Sequence, residues 1–534
     1  MMPNDQYNIK KVLSYFGINL NESFIKKENE TLAIEFNEVT QDLTNDTRSI
    51  NQGDIFCAII GTLQDGRKYN QTAANKGASL IISECELEEE HGKLSYLNNH
   101  QTQRSERIET LVVSFYQLNN ALFNLSKLYY GNPQSKMSMI GVTGTNGKTS
   151  TSQLLGQLLT KFSMPCPIVG TNGFGFVETL TPLNNTTPSA PDLHKIFSGF
   201  VQQGAECVAM EASSHALAQG RVYAELFNIA LFTNLSRDHL DYHETMEEYA
   251  QAKKRIFTGD SSQIAVINGD DKQARMWLET WPAQQTVWVV GKNITSLKKQ
   301  HYVMATDVIH HDHGVNFLLK THIGNISIES PLLGEFNVDN LLLVIAVLLI
   351  QDIPLLNISE KVKELKPIAG RMESTSLSGY PTTVVDYAHT PDALEKALLA
   401  CKQHCQGKLW VVFGCGGDRD KGKRPIMAKI AETIADNIVF TNDNPRTEDP
   451  KSIVDDMLIG LKNKDASNIR VTFDREEAVL TTISSAQSND IILLAGKGHE
   501  DYLIVGNKTI EYNERSIVAK YYNALGKSSK KVVL

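Results

Sequence analysis

Residues 139–149 read Met-Ile-Gly-Val-Thr-Gly-Thr-Asn-Gly-Lys-Thr, an apolar strand that runs directly into a glycine-rich loop. The leucines at 154, 155, 158 and 159 recur at helical spacing and predict that the loop opens onto a helix. Such a loop turns backbone N–H groups toward phosphate oxygens, and the helix N-terminus favours anions. Although Val142 stands where the common motif has its first glycine, the stretch predicts a nucleoside triphosphate site made of Gly144, Thr145, Asn146, Gly147, Lys148, Thr149 and Ser150.

The length and net charge of the chain limit the number of domains and the classes of protein to be considered. A chain of 534 residues is too long for one hydrophobic core, so two to four domains are expected. Its net charge of −9 argues against a nucleic-acid binder held by phosphate contacts. The seven cysteines are odd in number and scattered, which favours reduced thiols over a disulfide framework or a zinc site.

Two apolar features bear on localisation. The N-terminal run MMPNDQYNIKK has no apolar region behind its charges, so no signal peptide is expected. Residues 341–350 are all apolar, but this is about half the length of a membrane span and predicts a buried core helix. We therefore expect a cytoplasmic protein without a membrane span, and a monomer.

Changes in composition suggest three domains. A polar, aperiodic segment from about Cys85 to Glu109 reads as a surface excursion and places a first boundary near residue 112. A second boundary falls near Ile368-Ala-Gly-Arg371, where a helical pattern stops and a strand pattern begins. The expected domains are residues 1–112, 113–369 and 370–534.

Strands and helices alternate in the central and C-terminal thirds. This alternation predicts an α/β fold, with a central P-loop domain built on a mostly parallel sheet and a C-terminal Rossmann-like parallel sheet. The predicted strands are Met137–Val142, Cys207–Met210, Ile229–Phe232, Ile264–Ile267, Thr382–Val385, Leu409–Phe413, Asn437–Phe440 and Ile491–Leu494; helices are predicted at Pro391–His404 and Ser452–Leu461.

Polar residues follow these strands, and ligands gather at the carboxyl ends of parallel strands. In the last domain four strands end in polar segments, at 386–389, 414–420, 443–446 and 496–500, which predicts a binding site at that edge. In the central domain Glu211 ends a strand beside the phosphate loop, as an acidic residue facing a nucleotide metal does. His239, after the next strand, is a candidate ligand for a second divalent ion.

These segments together resemble the Mur ligases, ATP-dependent amide-forming enzymes of bacterial peptidoglycan synthesis. The resemblance extends from about Asp46 to Glu514, and within the family it is strongest to members that add meso-diaminopimelate. It is carried by Thr145-Asn-Gly-Lys-Thr149, Asn185-Thr-Thr187, Glu211-Ala-Ser-Ser-His215, Asn234-Leu-Ser-Arg-Asp-His239, Tyr249-Ala-Gln-Ala-Lys253, Asp386-Tyr-Ala-His-Thr-Pro391 and Asp443-Asn-Pro-Arg446.

The resemblance implies a role for each domain: the first binds the UDP moiety, the second ATP, and the third the incoming amino acid. The residues implied to hold the UDP-muramoyl dipeptide are Asn45, Thr47, Asn185, Thr186, Thr187, Ser213, Gln219 and Arg221. Asn337 and Asn340 are implied to seat the adenine. The residues implied to bind meso-diaminopimelate are Arg419, Asp443, Asn444, Pro445, Arg446, Gly496 and Glu500.

The resemblance also implies Mg²⁺, bound by Thr149, Glu211, His239 and a carbamylated Lys253, with Lys148 as a further catalytic group. A buried lysine loses its proton readily, and a neutral amine can add carbon dioxide to form a carbamate. From the residues alone, Lys253 followed by Lys254 and Arg255 is typical of a solvated helix face.

The implied reaction joins meso-diaminopimelate to D-glutamate through an acyl phosphate. Arg446 suits the distal carboxylate of diaminopimelate, because a guanidinium binds a carboxylate bidentately. A lysine-adding ligase, a folylpolyglutamate-type ligase and a P-loop switch or regulatory ATPase are the alternatives.

Overall fold

The computed structural model describes residues 8–20, 41–61, 64–98, 109–294, 301–311 and 314–531. The chain divides into two compact units, residues 1–265 with 277–286 and residues 266–276 with 287–534. This division does not coincide with the domain boundaries near residues 112 and 369, which stay predictions. Residues 99–108 of the polar segment lie outside the described residues.

The first unit begins with a five-stranded sheet, in the order β1-β2-β3-β5-β4. Neighbouring strands are parallel except β4, which runs antiparallel to β5. The segment predicted to be an aperiodic surface excursion contains the edge strand β4, which corrects that prediction. Strand β5 runs across residue 112, the predicted first domain boundary. The elements are strands β1 Leu43–Thr44, β2 Ile55–Ala58, β3 Leu80–Cys85, β4 Leu94–Asn98 and β5 Glu109–Tyr116, and helices α1 Ile9–Tyr15, α2 Asn70–Asn75 and α3 Leu118–Tyr129.

A second sheet of the same unit positions the phosphate loop. Within this unit the strands of the sheet run in the order β10-β6-β9-β7-β8, and β6 is parallel to both of its neighbours. In this register Val142 is opposite Glu211 and Thr143 is opposite Phe232, so three strands end together. The elements are β6 Ser138–Thr143, β7 Ile168–Gly170, β8 Gly173–Gly175, β9 Cys207–Glu211, β10 Ile229–Phe232, α4 Lys148–Lys161, α5 Ala190–Gln202, α6 Ser214–Ala218, α7 Leu240–His243 and α8 Met246–Lys254.

The division between the units falls inside strand β11 (Ile264–Asn268) and helix α9 (Lys272–Glu279). The second unit continues with β12 Val287–Gly291, β13 His301–His311, β14 Gly314–Thr321, β15 Gly324–Ser330, α10 Glu335–Ile350 and α11 Leu355–Val362. Residues 341–349 of α10 are buried, which confirms the predicted core helix. None of the helices in the described ranges is long and apolar enough to cross a membrane.

A six-stranded sheet forms the rest of the second unit, in the order β16-β17-β21-β18-β19-β20. It is parallel except for the edge strand β16, as expected for a Rossmann-like sheet. The elements are β16 Glu373–Thr375, β17 Thr382–Asp386, β18 Leu409–Phe413, β19 Asn437–Phe440, β20 Ile469–Val471, β21 Ile491–Ala495, the hairpin β22 Tyr502–Val505 and β23 Lys508–Glu511, α12 Pro391–His404, α13 Lys423–Ile434, α14 Pro450–Leu458, α15 Arg475–Ser485 and α16 Glu514–Lys531.

The predicted strands are confirmed to within one residue at each end, and helix Pro391–His404 is confirmed. The prediction of a helix at Ser452–Leu461 is shifted, because α14 begins at Pro450 and ends at Leu458. Asp449 accepts a hydrogen bond from the Ser452 N–H, and proline at the first helical position is pre-organised for the helix. The start signal therefore lies two residues earlier than the apolar pattern indicates.

One buried ion pair fixes the carboxyl edge of this sheet. Arg475 Nε and Nη2 lie 2.6 and 3.1 Å from the two carboxylate oxygens of Glu514, and both side chains are fully buried. The remaining donors bind strand-end carbonyls, Nη1 that of Asn442 at 3.1 Å and Nη2 that of Ala495 at 2.9 Å. Arg475 therefore holds the ends of β19 and β21 in a fixed relation.

We expect Arg475→Met to lower the free energy of unfolding by about 3–5 kcal/mol, because it leaves the Glu514 carboxylate buried without its cation. Arg475→Met combined with Glu514→Leu should be less destabilised than the single variant, because no charge is left buried. Urea unfolding of the full chain measures both differences. An equal or larger loss in the double variant would contradict this account.

Candidate active site

The phosphate loop is shaped by two glycines in the left-handed region. Gly144 has φ +143° and Gly147 has φ +87°, immediately before α4 begins at Lys148. A Cβ on Gly144 would lie 1.9 Å from Thr233 Oγ1, so only glycine fits there. Thr149 and Ser150 are buried in the first turn of α4. The predicted strand, loop and helix are thus present in the expected order.

The end of β10 braces this loop through Asn234. The Asn234 carbonyl accepts a hydrogen bond from the Thr145 N–H at 2.8 Å, and Asn234 Oδ1 accepts one from the Asn146 N–H at 3.0 Å. Thr233 Oγ1 donates to the Asn146 carbonyl at 2.5 Å. Three hydrogen bonds from the residues that follow β10 therefore hold the backbone of the loop from one side.

Glu211 ends β9 beside the loop and is buried. Its carboxylate accepts hydrogen bonds from the Thr171 N–H at 2.9 Å and hydroxyl at 3.2 Å. Its backbone carbonyl accepts one from Thr187 Oγ1 at 2.8 Å, and the Ser213 N–H donates to the same hydroxyl oxygen at 3.1 Å. Arg221 donates to the Thr187 carbonyl, and burial lowers the pKa of this arginine.

These contacts bring several predicted dipeptide-binding residues, Thr187, Ser213 and Arg221, together with the acidic residue Glu211. Thr186 is close by, since its hydroxyl lies 3.1 Å from that of Thr171. Gln219 donates to the Tyr242 hydroxyl at 3.2 Å, and Asn185 is exposed. Asn45 and Thr47 follow β1 of the N-terminal sheet, where Lys76 Nζ donates to the Thr47 carbonyl at 2.7 Å.

Lys253 is buried, in contrast to the solvated helix face that its neighbours in sequence suggest. Its Nζ donates to the Gly144 carbonyl at 2.7 Å and lies 4.4 Å from the centre of the Tyr249 ring. Lys148 Nζ donates to the same carbonyl at 3.0 Å. Desolvation, helped by the nearby charge of Lys148, lowers the pKa of Lys253 well below that of a free lysine. The neutral amine needed for carbamate formation is therefore favoured.

His239 lies at the start of α7 with φ +53°, and its side chain is 44% exposed. Its ring centre is 4.9 Å from that of His215 and 6.0 Å from that of Tyr249. Within the described part of the chain, no three or more His, Cys, Asp or Glu side chains are grouped to hold a metal ion. A metal site here would need the Thr149 hydroxyl and a modified Lys253 in addition to Glu211 and His239.

In the second unit, the predicted adenine-binding residues lie in the first two turns of α10. Asn337 Nδ2 donates to the Leu333 carbonyl at 2.8 Å, and Asn340 Nδ2 donates to Asn337 Oδ1 at 3.2 Å. Both side chains are buried.

The predicted diaminopimelate-binding residues come together at the carboxyl edge of the C-terminal sheet. Asn444 Nδ2 donates to Glu500 Oε2 at 3.1 Å, and Arg446 Nη1 donates to the Gly417 carbonyl at 2.9 Å and the Asn444 carbonyl at 3.4 Å. The Arg446 backbone has φ +53° and pairs with Val505 of the hairpin. Asp443, Pro445 and Gly496 are buried at this edge, whereas Arg419 is exposed.

Sequence reasoning missed three charged groups at this edge, the fully buried Lys497 and Arg424 and the partly buried Glu448. Arg424 is fully buried and donates to both carboxylate oxygens of Glu448, at 2.8 and 2.7 Å, and to the Gly416 carbonyl at 3.2 Å. Glu448 Oε2 in turn accepts from the Asp418 N–H at 3.1 Å. The pair ties the loop after β18 to the loop after β19. The sequence did contain a signal that could have identified Lys497, namely its position between Gly496 and Glu500 in a polar segment at a strand end.

Two domain families match the chain, the Mur ligase middle domain over residues 142–348 and the Mur ligase glutamate ligase domain over residues 370–498. A curated relative, the UDP-N-acetylmuramoyl-L-alanyl-D-glutamate–2,6-diaminopimelate ligase of Haemophilus influenzae, is 43% identical over 476 residues. This match covers 89% of this chain and 95% of the relative.

Solved structures agree. One of a protein with the same name as that relative has a TM-score of 0.64 and 34% identity, and the match covers 91% of this chain and 95% of the other. MurF ligase of Thermotoga maritima in complex with ADP has a TM-score of 0.58 and 16% identity over 85% and 94% of the two chains, a likeness of fold alone. The chain therefore belongs to the Mur ligase family, whose members are ATP-dependent enzymes that form amide bonds.

Proposed function

We propose that this chain adds meso-diaminopimelate to the D-glutamate of UDP-N-acetylmuramoyl-L-alanyl-D-glutamate at the expense of ATP, in peptidoglycan synthesis. The observation that carries the proposal is the cluster of Asp443, Asn444, Arg446 and Glu500 at one sheet edge, which offers both acidic and basic partners to an amino acid. The 43% identical relative named for this reaction supports it.

In the first step, a carboxylate oxygen of the D-glutamate attacks the γ-phosphorus of ATP, the bond to the β-phosphate oxygen breaks, and an acyl phosphate and ADP result. A carboxylate is a poor acylating agent, so phosphate must first provide a leaving group. The N-terminus of α4 and the Lys148 ammonium offset phosphate charge, while Thr187, Ser213 and Arg221 are assigned to hold the acceptor. Positioning of this kind contributes up to about 7–11 kcal/mol to lowering a barrier.

In the second step, the amine of diaminopimelate attacks the acyl carbonyl, phosphate leaves with the bonding electrons, and the nitrogen loses a proton. The substrate must present its amine while its distal carbon, which carries a carboxylate and an ammonium group, is held. Arg446 suits this carboxylate because its guanidinium forms parallel hydrogen bonds. Lysine, which lacks the distal carboxylate, would leave the guanidinium without that partner.

We also propose a Mg²⁺ site formed by Thr149, Glu211, His239 and carbamylated Lys253. A hydroxyl, a carboxylate and a carbamate supply the hard oxygen ligands that Mg²⁺ prefers, and the burial of Glu211 and Lys253 beside the loop fits this donor set. When bound, the metal would supply positive charge against the triphosphate. Three domains, residues 1–112, 113–369 and 370–534, are proposed to carry the three substrates, and the enzyme is proposed to act as a monomer in the cytoplasm.

The deciding experiment is phosphate release from ATP with each substrate omitted in turn. Turnover is expected to require both the UDP-muramoyl dipeptide and meso-diaminopimelate, because the acyl phosphate forms on one and is captured by the other. Turnover without any amino acid would favour a regulatory ATPase. Equal rates with lysine would favour a lysine-adding ligase, and activity with a folate acceptor a folylpolyglutamate-type ligase.

Arg446→Ala should raise the KM for meso-diaminopimelate at least about 30-fold, the ratio that corresponds to about 2 kcal/mol for a dominant contact. The KM for ATP should stay the same, because the side chain contacts only loops of the C-terminal sheet. Steady-state kinetics measure both constants. Arg470→Ala is the matched control. Arg470 belongs to the edge strand β20, and its guanidinium lies over the ring of Trp410 instead of among the proposed substrate contacts. An unchanged KM for diaminopimelate would exclude the role of Arg446.

Lys253 should carry a carbamate when the protein is equilibrated with ¹³C-labelled bicarbonate, because its lowered pKa increases the fraction of neutral amine relative to a free lysine. A carbamate carbonyl signal in the ¹³C NMR spectrum is the readout. Lys254→Met, the control at the adjacent half-buried lysine, should keep the signal, and Lys253→Met should lose it along with ligase activity. A signal that survives in Lys253→Met would assign the carbamate elsewhere.

A further inference from the structure

The reaction outlined above gives no task to Lys497, although this residue lies between two of the proposed diaminopimelate contacts. Its side chain is fully buried just beyond the carboxyl end of β21. A buried ammonium group costs several kcal/mol of desolvation unless acceptors surround it. The identity of those acceptors therefore indicates what the residue does.

Four oxygen atoms surround the Lys497 ammonium, which has three N–H groups. Nζ lies 2.8 Å from Asn444 Oδ1, 2.9 Å from the Tyr502 carbonyl and 3.0 Å from Glu500 Oε2. Asp443 Oδ1 is also an ion-pair partner, at 3.2 Å, but this oxygen accepts no hydrogen bond from the described residues although it is buried. One buried carboxylate oxygen therefore has no donor.

The same ammonium determines which way the Asn444 amide points. Asn444 Oδ1 accepts hydrogen bonds from Lys497 Nζ at 2.8 Å and from the Ile504 N–H at 2.9 Å. These two donors face one amide atom, which must be the oxygen, so the NH₂ group is directed toward Glu500. Without Lys497, the Asn444 oxygen would keep one donor, the Ile504 N–H, and the Glu500 carboxylate would be the other group left to orient the amide.

Lys497 also sets the charge balance of the cluster. Asp443 and Glu500 bring two negative charges, and Lys497 offsets one of them inside the protein. A substrate carboxylate that approaches Arg446 then meets a cluster with less repulsion. The donor-free oxygen of Asp443 remains available for a substrate ammonium group.

We propose that Lys497 is a positioning residue that sets the preference of this site for an amino acid whose distal carbon carries both a carboxylate and an ammonium group. It does so by orienting the Asn444 amide and by offsetting the charge of the Asp443–Glu500 pair. This inference rests on the proposed function. Lysine has the distal ammonium but lacks the carboxylate, so it is the substrate that reports a loss of preference.

The test compares kcat/KM for meso-diaminopimelate and for lysine in Lys497→Met and Lys497→Arg, together with the KM for ATP and thermal unfolding. The ratio of the two kcat/KM values should fall at least about 30-fold in Lys497→Met, as expected when one partner of a buried charged network is removed. It should fall by a smaller factor in Lys497→Arg, because arginine keeps the charge but presents its donors in a different geometry. Lys497→Arg keeps the charge and should unfold nearer the wild-type temperature, so it serves if Lys497→Met does not fold. Lys402→Met is the control, because Lys402 of α12 makes a half-exposed ion pair with Asp436, the residue before β19.

Two outcomes would overturn the proposal: a folded variant with the wild-type ratio, including one in which both kcat/KM values fall equally, or failure of both variants to fold, which would make Lys497 a residue of the fold alone. Failure of the proposed function looks different, since wild-type protein would then show no turnover that depends on diaminopimelate.

Discussion

The N–H groups of a buried basic side chain need oxygen acceptors, and in both units of this chain that requirement shapes the loops at the ends of the strands. Lys253 donates to the carbonyl of Gly144 in the phosphate loop. Arg475 donates to the carbonyls that follow β19 and end β21, and Lys497 to that of Tyr502. Loops carry few regular backbone hydrogen bonds, and these buried basic side chains supply additional ones. Catalysis by positioning depends on loops held in this way, because small displacements of reacting groups lower rates strongly.

Equal burial has opposite consequences for Lys253 and Arg475. Arg475 faces the carboxylate of Glu514 in a bidentate pair, so its charge is retained. Lys253 faces a carbonyl and the ring of Tyr249, and the ammonium of Lys148 shares the same carbonyl. Desolvation and the charge of Lys148 outweigh the opposing effect of Asp238, so the pKa of Lys253 is lowered. The choice of partner thus separates a cation that supports the fold from an amine suited to chemistry.

The positions of the strands were easier to predict from the sequence than the burial of individual charged side chains. Leu409–Phe413 and Ile229–Phe232 were predictable because strands buried on both faces are continuous apolar runs. The edge strand Leu94–Asn98 was missed because its apolar residues do not alternate strictly. The burial of Lys253 was not predictable locally, since its acceptor Gly144 is 109 residues away. Family resemblance supplied that residue, whereas Arg424 and Lys497 lay outside the motifs used.

The donor-free oxygen of Asp443 has a consequence for the evolution of this chain. A buried acceptor without a donor costs about 1–3 kcal/mol of folding free energy. Selection for heat resistance alone would replace the acid and the Lys497 ammonium together with apolar side chains, so that neither charge is left buried without its partner. Such a change would yield a more stable protein that binds its amino-acid substrate less tightly, so at this position stability and activity place opposite demands on the side chain.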